Sequence, residues 1–224
     1  EDNAHGLAVK SRYGALGTIG SVAIQSFHDT KNIHCGEGGA VLINDPALVE
    51  AAEIMREKGT NRSKFLRGQV DKYTWVDWGS SYLPSELNAA VLDAQLDAFE
   101  GIQERRFEIW NTYSESLTEW AESLGGSVMS PVDGEHAAHV FYVLMPDQDT
   151  RDALLEYLRS KGVVGTFHYV PLHSSPAGQK YGRTVGSLNK TDSFAGRLAR
   201  LPLWPGMTDA QVAYVIDTVK AFQK

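Results

Sequence analysis

A single lysine stands between two predicted strands, in the stretch Ser26-Phe27-His28-Asp29-Thr30-Lys31-Asn32, which is soon followed by Gly36-Glu37-Gly38-Gly39. The flanking segments, Ile19 to Phe27 and Ala40 to Ile43, are rich in the β-branched and aromatic residues that strands favour. The glycine cluster predicts a tight turn before the second strand. The sequence therefore places Lys31 on a short loop where two strands end, a position that suits a chemical group.

Helical patterns follow the two strands. Asp45-Pro46 predicts the N-cap and first turn of a helix that ends at Gly59, and Pro84 begins another helix with one apolar stripe. A third helical pattern runs from Gly101 to Leu124, and we expect a domain boundary near its start. The remaining predicted elements are strands at 139–145 and 163–168 and helices at 149–161 and 208–222. This succession of strands and helices predicts an α/β fold.

Composition and charge exclude several classes of protein. The chain has 224 residues, of which 42% are hydrophobic, enough for a substantial core. Lys and Arg number 21 against 28 Asp and Glu, a net charge of -7, so we expect no nucleic acid partner. Cys35 is the one cysteine, and no apolar run approaches the roughly 18 residues that span a bilayer. We therefore expect a cytoplasmic protein that does not enter a membrane.

Two other kinds of site have little support in the sequence. His28, His34 and Cys35 lie close together, but His-Glu-x-x-His and Cys-x-x-Cys motifs are absent, so we expect no metal site. The glycines at 36–39 fit neither a Walker loop nor a dinucleotide fingerprint, because Lys-Ser/Thr is missing and Val41 occupies the third glycine position. We interpret them as a tight turn that lets the backbone approach Lys31.

With Asp2 and His5 upstream, the lysine stretch resembles the cofactor-lysine motif of the DegT/DnrJ family of nucleotide-sugar aminotransferases, which use pyridoxal 5'-phosphate. The resemblance extends along nearly the whole chain. It implies an α/β fold of the aspartate-aminotransferase type (fold type I), with residues 1–100 as the later half of the large cofactor domain and 101–224 as the small domain. Because the chain begins Glu1-Asp2, we interpret it as the interior of something longer, lacking the first part of the large domain.

The resemblance also assigns roles to individual residues. It implies that Lys31 binds the cofactor covalently and carries protons between substrate and cofactor. Asp2 would keep the ring nitrogen protonated, His5 would lie against the ring, and Ser26 would bind the phosphate. Ser81 stands where many members have an Asn that reaches the phosphate of a neighbouring subunit, in an expected homodimer. Two residues later, Leu83 replaces an Arg and cannot make the same contact.

Three longer strings, at 57–63, 67–75 and 79–87, together with His28, resemble the subgroup that makes dTDP-4-amino-4,6-dideoxygalactose. The implied reaction moves an amino group from L-glutamate to C4 of a dTDP-4-keto-6-deoxyhexose, for cell-surface polysaccharide. The segment from Phe167 to His173 matches the mouth of the family's active site. His168, Tyr169 and His173 are therefore candidate substrate contacts, although they could equally shape only the contact between domains.

Two other functions remain open at this point. The chain could be a truncated, non-catalytic relative that acts as a binding or interaction module. It could also be a sugar dehydratase on the same fold. The dehydratase has less support, because those relatives replace the lysine with histidine whereas Lys31 is present.

Overall fold

A computed structural model describes residues 1–131 and 135–223 of the chain. These residues form two compact units. The first contains Glu1–Gly101 together with a short segment that ends at Ala137, and the second contains the residues from Ile102 onward apart from that segment.

The first unit contains two antiparallel strand pairs. The strands are β1 (Lys10–Ser11), β2 (Gly14–Ala15), β3 (Val22–Ser26) and β4 (Gly39–Ile43). β1 pairs with β2, and β3 pairs with β4 from Val22 opposite Ile43 to Ser26 opposite Gly39. The two strands predicted around Lys31 are therefore confirmed, and the lysine lies in the loop that joins them.

Three α-helices follow in the first unit: α1 (Val49–Arg56), α2 (Arg62–Leu66) and α3 (Glu86–Asp97). A 3-10 turn at Pro46–Leu48 precedes α1, and the Asp45 side chain caps it by accepting from a backbone N–H, as predicted. Ser85 caps α3 in the same way. No residue of these three helices is buried, so the apolar stripe of α3 faces solvent.

The second unit combines helices with a four-stranded antiparallel sheet. Its elements are α4 (Phe99–Ser123), which begins just before the boundary, β5 (Ser127–Val128), β6 (Phe141–Leu144), α5 (Gln148–Ser160), β7 (Thr166–Phe167), α6 (Pro176–Tyr181), α7 (Asn189–Arg197), β8 (Leu198–Leu201) and α8 (Asp209–Lys220). The strand order is β5-β6-β8-β7. Thr208 and Gln211 form the predicted capping box of α8. None of the described helices is both long and apolar enough to cross a membrane.

One continuous apolar core fills the second unit, with members on α4, α5, α8 and the sheet. Phe141 is fully buried, and its ring centroid lies 5.5 Å from that of Trp110 and 5.3 Å from that of Tyr113. The Tyr113 hydroxyl donates to the carbonyl of Pro202 at 2.9 Å, so its burial leaves no polar group unpaired. Burial raises the pKa of Tyr113.

Some elements of the second unit differ from the predictions. The strand predicted at 163–168 is limited to β7, because the N–H of Val163 bonds back to the carbonyl of Leu158 at the end of α5. The sequence does not predict β8, which is short, lacks a β-branched residue and contains Arg200. The stretch 169–190, predicted as a loop, contains α6 and the start of α7.

Candidate functional site

The loop that carries Lys31 is closed by backbone hydrogen bonds between its two sides. The N–H of Phe27 donates to the carbonyl of Gly38 at 2.8 Å, and the N–H of Asp29 donates to that of Gly36, also at 2.8 Å. Gly36 has a φ of +84°, a conformation that other residues rarely adopt. The glycine cluster is therefore a tight turn within the loop, as predicted.

Buried side chains on both sides of Lys31 anchor the loop. Phe27, Ile33 and Cys35 are all buried, whereas Lys31 itself is half-buried. Its backbone N–H donates to the carbonyl of His28 at 2.9 Å. Within the part of the chain that the structure describes, no group accepts a hydrogen bond from the Lys31 ammonium. The backbone of Lys31 is therefore fixed, whereas its amine donates no hydrogen bond to a described residue.

His28 organises the part of the loop that precedes Lys31. Its Nδ1 lies 2.8 Å from a carboxylate oxygen of Asp29 and 2.9 Å from the hydroxyl of Thr30. Its backbone N–H lies 3.4 Å from the hydroxyl of Ser26. Ser26 thus lies at the base of the loop.

The residues that begin the chain lie alongside β3. Asp2 forms a parallel bridge with Ile24, through bonds from the N–H of Asn3 to Ile24 and from the N–H of Ile24 to Glu1, each 3.0 Å. The Asn3 amide, which is buried, donates to the Gln25 side chain at 3.0 Å on the opposite face. This polar pair fixes the register in which Asp2 meets β3.

Asp2 and Ser26 occupy the same face of this small sheet. Asp2 is directly across from Ile24, and side chains two residues apart on a strand point the same way. The opposite face carries the buried residues Ala23 and Gln25. A carboxylate and a hydroxyl therefore share an accessible face, about 7 Å apart along the strand direction, next to the loop that holds Lys31.

The other two candidate residues of the first unit, His5 and Ser81, lie outside the loop that carries Lys31. His5 is exposed, in the turn that follows Asp2. Ser81 is also exposed, and its backbone bridges to Glu57. In the described part of the chain, no hydrogen bond joins Ser81 to the Lys31 loop.

The second unit contains the three predicted substrate contacts. His168 and Tyr169 follow β7 with ring centroids 5.1 Å apart, and both line an open cavity of about 560 Å³. Phe194 and Lys190 of α7 line the same cavity. His173 lies outside the cavity lining, and its Nε2 is 3.0 Å from a carboxylate oxygen of Asp192. The structure therefore brings two of the three to one cavity.

The environment of His168 favours its neutral form. Burial, and to a lesser extent the charge of Arg200, lower the pKa of His168 below its ordinary value. Its Nδ1 is buried and has no hydrogen-bond partner within the described residues. A neutral imidazole beside an apolar cavity is suited to hydrogen bonding with a ligand rather than to ion pairing.

Sequence reasoning misses the polar side chains that hold the site in place. Asn3 and Gln25 fix the strand that bears Asp2, and the Asn32 amide donates to the carbonyl of Ala137 at 2.6 Å. Gln25 has a recognisable signal, because it is a polar residue at an inward position of β3. The Asn32 contact has none, since its partner is 105 residues away in sequence.

The described residues contain no group of three or more His, Cys, Asp or Glu side chains arranged to hold a metal ion. His28, His34 and Cys35, which are close in sequence, therefore form no such cluster. The first unit offers other groups that are suited to chemistry: an amine, a carboxylate and a hydroxyl.

Comparison with solved structures identifies the class of fold. The aminotransferase TlmJ from Streptoalloteichus hindustanus superposes with a TM-score of 0.83 at 28% identity, covering 99% of this chain and 57% of that one. The crystal structure of DesV from S. venezuelae gives a TM-score of 0.82 at 31% identity, covering 97% and 56%. The predicted α/β fold of the aspartate-aminotransferase type is confirmed.

Sequence comparison then narrows the class to a family. The model of the DegT/DnrJ/EryC1/StrS aminotransferase family matches residues 1–220, and the chain belongs to this family. A relative from Streptomyces venezuelae, dTDP-3-amino-3,4,6-trideoxy-alpha-D-glucose transaminase, is 32% identical over 98% of this chain and 55% of its own length. The chain thus spans a little over half the length of the proteins that it matches.

The family consists of sugar aminotransferases that depend on pyridoxal phosphate. The residues present fit this cofactor in three respects. Lys31 offers an amine without a hydrogen-bonding partner among the described residues, for the aldehyde. Asp2 offers a carboxylate for the ring nitrogen, and Ser26 offers a hydroxyl for the phosphate, on one face of the sheet.

Proposed function

We propose that this chain carries the lysine-bearing part of a nucleotide-sugar aminotransferase. The reaction would move an amino group from L-glutamate to C4 of a dTDP-4-keto-6-deoxyhexose, giving the dTDP-4-amino-4,6-dideoxygalactose form. The observation that carries this proposal is the position of Lys31. Its loop is fixed by backbone bonds and by buried neighbours, while its amine is left for chemistry.

Pyridoxal phosphate, when bound, withdraws electrons from the substrate carbon that loses or gains the proton. Lys31 would hold the cofactor and, once displaced by the amino donor, carry the proton on its Nζ. Asp2, on the strand beside β3, would keep the ring nitrogen protonated through a hydrogen bond. Ser26 would donate to the phosphate, and His5 would lie against the ring.

The sugar nucleotide would meet the second unit of this chain or of a partner chain. His168 and Tyr169 supply an imidazole and a ring at the same cavity, and His173 lies beside it with Asp192. The relative from Streptomyces venezuelae is named for a dTDP-sugar with an amino group at C3. This supports a dTDP-sugar as the class of substrate, whereas the C4 position and the galactose form rest on the resemblance of residues 57–87.

We further propose that the two units correspond to the later half of a large cofactor domain, residues 1–100, and a small domain, residues 101–224. The active protein would be a cytoplasmic homodimer serving cell-surface polysaccharide synthesis. Ser81 would then reach the cofactor phosphate of the neighbouring subunit. The exposed position of Ser81 is compatible with this role.

The test is the visible absorption spectrum of the purified chain with pyridoxal phosphate, before and after addition of L-glutamate. We expect a band of lysine-bound cofactor that glutamate converts to the amine form. Lys31→Ala should abolish the band, whereas Lys72→Ala, at an exposed lysine of the same unit, should leave it unchanged. A folded wild-type chain that gives no band would contradict the proposal and favour the non-catalytic binding module.

Substrate specificity needs a separate measurement. The dTDP-4-keto-6-deoxyhexose should regenerate the lysine-bound form, and NMR coupling constants of the product should show the configuration at C4. A product aminated at C3, or one with the gluco configuration, would overturn this assignment while leaving the transaminase intact.

A further inference from the structure

Asn32, the residue that follows Lys31, ties the lysine loop to a distant part of the first unit. Its side-chain amide donates to the carbonyl of Ala137 at 2.6 Å. Ala137 is only 7% exposed, so this carbonyl is largely withdrawn from water. A hydrogen bond in such a place competes little with water, so the contact restrains the loop.

Two backbone hydrogen bonds near Lys31 stay within the loop. The N–H of Lys31 donates to His28, and the N–H of Cys35 donates to Phe27. Such local bonds set the shape of the loop. The Asn32 contact, in contrast, spans 105 residues of sequence and helps to set where the loop lies.

We propose that Asn32 is a positioning residue for Lys31. Because the two residues are adjacent, the amide of Asn32 restricts the backbone from which the Lys31 side chain extends. The restriction lowers the entropy that the lysine loses when its Nζ is brought to the aldehyde carbon of the cofactor. This role rests on the proposed function of Lys31, and it goes beyond that function because Asn32 would act through the backbone of Lys31 and not on the cofactor or substrate.

The contact needs a hydrogen-bond donor at the end of a short side chain. Asn32→Asp keeps the size but replaces the donating NH₂ with an acceptor that faces the Ala137 carbonyl. Asn32→Ala removes the contact altogether, and Asn32→Gln keeps the donor on a longer arm. Asn44→Asp is the matched control, because the Asn44 amide also donates to backbone carbonyls in the first unit, those of Gly17 and Gly20.

The first measurement uses the chain without cofactor. Hydrogen exchange should quicken at the amides of Lys31 and Cys35 in Asn32→Asp and Asn32→Ala, but not in Asn44→Asp. Unchanged exchange in both Asn32 variants would mean that the contact does not hold the loop in solution, and it would overturn the proposal.

The second measurement follows the lysine itself. The Lys31 amine condenses with the aldehyde of pyridoxal phosphate with loss of water, borohydride reduces the C=N bond, and peptide mass spectrometry locates the label. We expect about tenfold less label at Lys31 in Asn32→Asp and Asn32→Ala, with an intermediate loss in Asn32→Gln. Label at the exposed Lys72 should not change, so it serves as the internal reference for the extent of labelling.

The two hypotheses fail in different ways. A wild-type chain that labels Lys31 no better than Lys72 would overturn the proposed function and the role of Asn32 with it. Selective labelling of Lys31 that is equal in wild type and all Asn32 variants would overturn only the positioning role. Loss of label in Asn44→Asp as well would show that any weakening of the first unit lowers the labelling of Lys31. That result would also overturn the positioning role of Asn32.

Discussion

The two units of this protein are stabilised by different kinds of contact. The second unit encloses a continuous apolar core of helices packed on a sheet. The first unit buries few apolar side chains and leaves many large ones exposed, including Val41 on β4 and Leu87 on α3. The unit that carries the proposed chemistry is therefore not the one with the extensive core.

Polar contacts fix the positions of several residues in the first unit. The carboxylate of Glu1 accepts from the backbone N–H groups of Gly17, Ile19 and Gly20, and these bonds lower the pKa of Glu1. Asn3 and Asn32 make the specific contacts described above. Directional bonds of this kind fix individual residues accurately, but each contributes little stability, because the same groups form hydrogen bonds with water in the unfolded chain.

A matched pair of leucine substitutions gives the largest expected contrast. Leu117 of α4 is 0% exposed and Leu87 of α3 is 80% exposed. Leu117→Ala should lower the free energy of unfolding by about 2–5 kcal/mol, because it leaves a cavity in the core. Leu87→Ala should change it by less than about 0.5 kcal/mol. Urea unfolding measures the change in free energy for each variant, and hydrogen exchange shows in which unit the change occurs.

The same two variants can contradict this difference between the units. A loss at Leu87→Ala as large as that at Leu117→Ala would show that α3 is covered in solution. Its dependence on protein concentration would then decide between a second copy of the chain and a contact within one chain.

The turns after α1 and α2 provide a second contrast, between two glycines of the first unit with similar φ values. Gly59 and Gly68 have φ values of +72° and +70°. A Cβ on Gly59 would lie 1.8 Å from the carbonyl oxygen of Asp77, whereas a Cβ on Gly68 would meet nothing within 4 Å. Gly68→Ala should therefore cost only the roughly 1–2 kcal/mol of the left-handed conformation, and Gly59→Ala clearly more.

Limited proteolysis of the segment between Gly59 and Asp77 is the measurement for this pair. The backbone N–H groups of Val76 and Asp77 both donate to the carbonyl of Gly59, so displacement of Gly59 should release the segment. Equal protection in the two variants would mean that the segment can shift to accept a Cβ. The polar contacts of the first unit would then be less specific than the structure indicates.

Sequence reasoning succeeds where the signal is local. The strands around Lys31, the caps at Asp45 and Thr208 and the glycine turn all depend on residues close in sequence, and the structure contains each of them. The sequence does not predict β8, because a central strand is selected by the neighbours on both of its sides and its own residues carry little strand propensity.

The candidate site also combines local features, which the sequence predicts, with non-local features, which it does not. The short spacing between Ser26 and Lys31 is visible in the sequence. The placement of Asp2 against β3 is a non-local pairing that only the structure contains. For α3, the apolar stripe predicts a buried face, yet none of its residues is buried. Periodicity shows that a face is suited to burial, but it does not show what covers that face.

Helix caps should give a smaller contrast of about 1 kcal/mol. Ser85 caps α3 through the N–H of Asn88, and Thr208 caps α8 through that of Gln211. Thr208→Ala should lower the global free energy of unfolding by about 0.5–2 kcal/mol, because α8 packs on the core. Ser85→Ala should instead increase fraying of α3, seen as faster exchange near Asn88 with little global effect. A decrease in the global free energy of unfolding in Ser85→Ala would indicate that α3 unfolds together with the core of the second unit.

The smallest expected effect is a dependence of stability on pH, with one histidine in each unit. Burial lowers the pKa of His168 in the second unit and of His136 in the first. Below the ordinary value of 6.5, the unfolded chain therefore binds protons that the folded chain does not. Stability should be full above about pH 6.5 and should fall as the pH drops from there toward the folded pKa values.

Substitution of each histidine assigns this loss to one unit. His168→Gln should reduce the acid-induced quickening of exchange at core amides such as Phe141, whereas His136→Gln should reduce it only in the first unit. Because both groups are partly exposed, water weakens the effect and we expect well under tenfold in each case. An acid response of the core that His136→Gln removes and His168→Gln does not would show that the two units share one unfolding transition. The contrast between a packed unit and a unit held by polar contacts would then describe their interiors but not their stabilities.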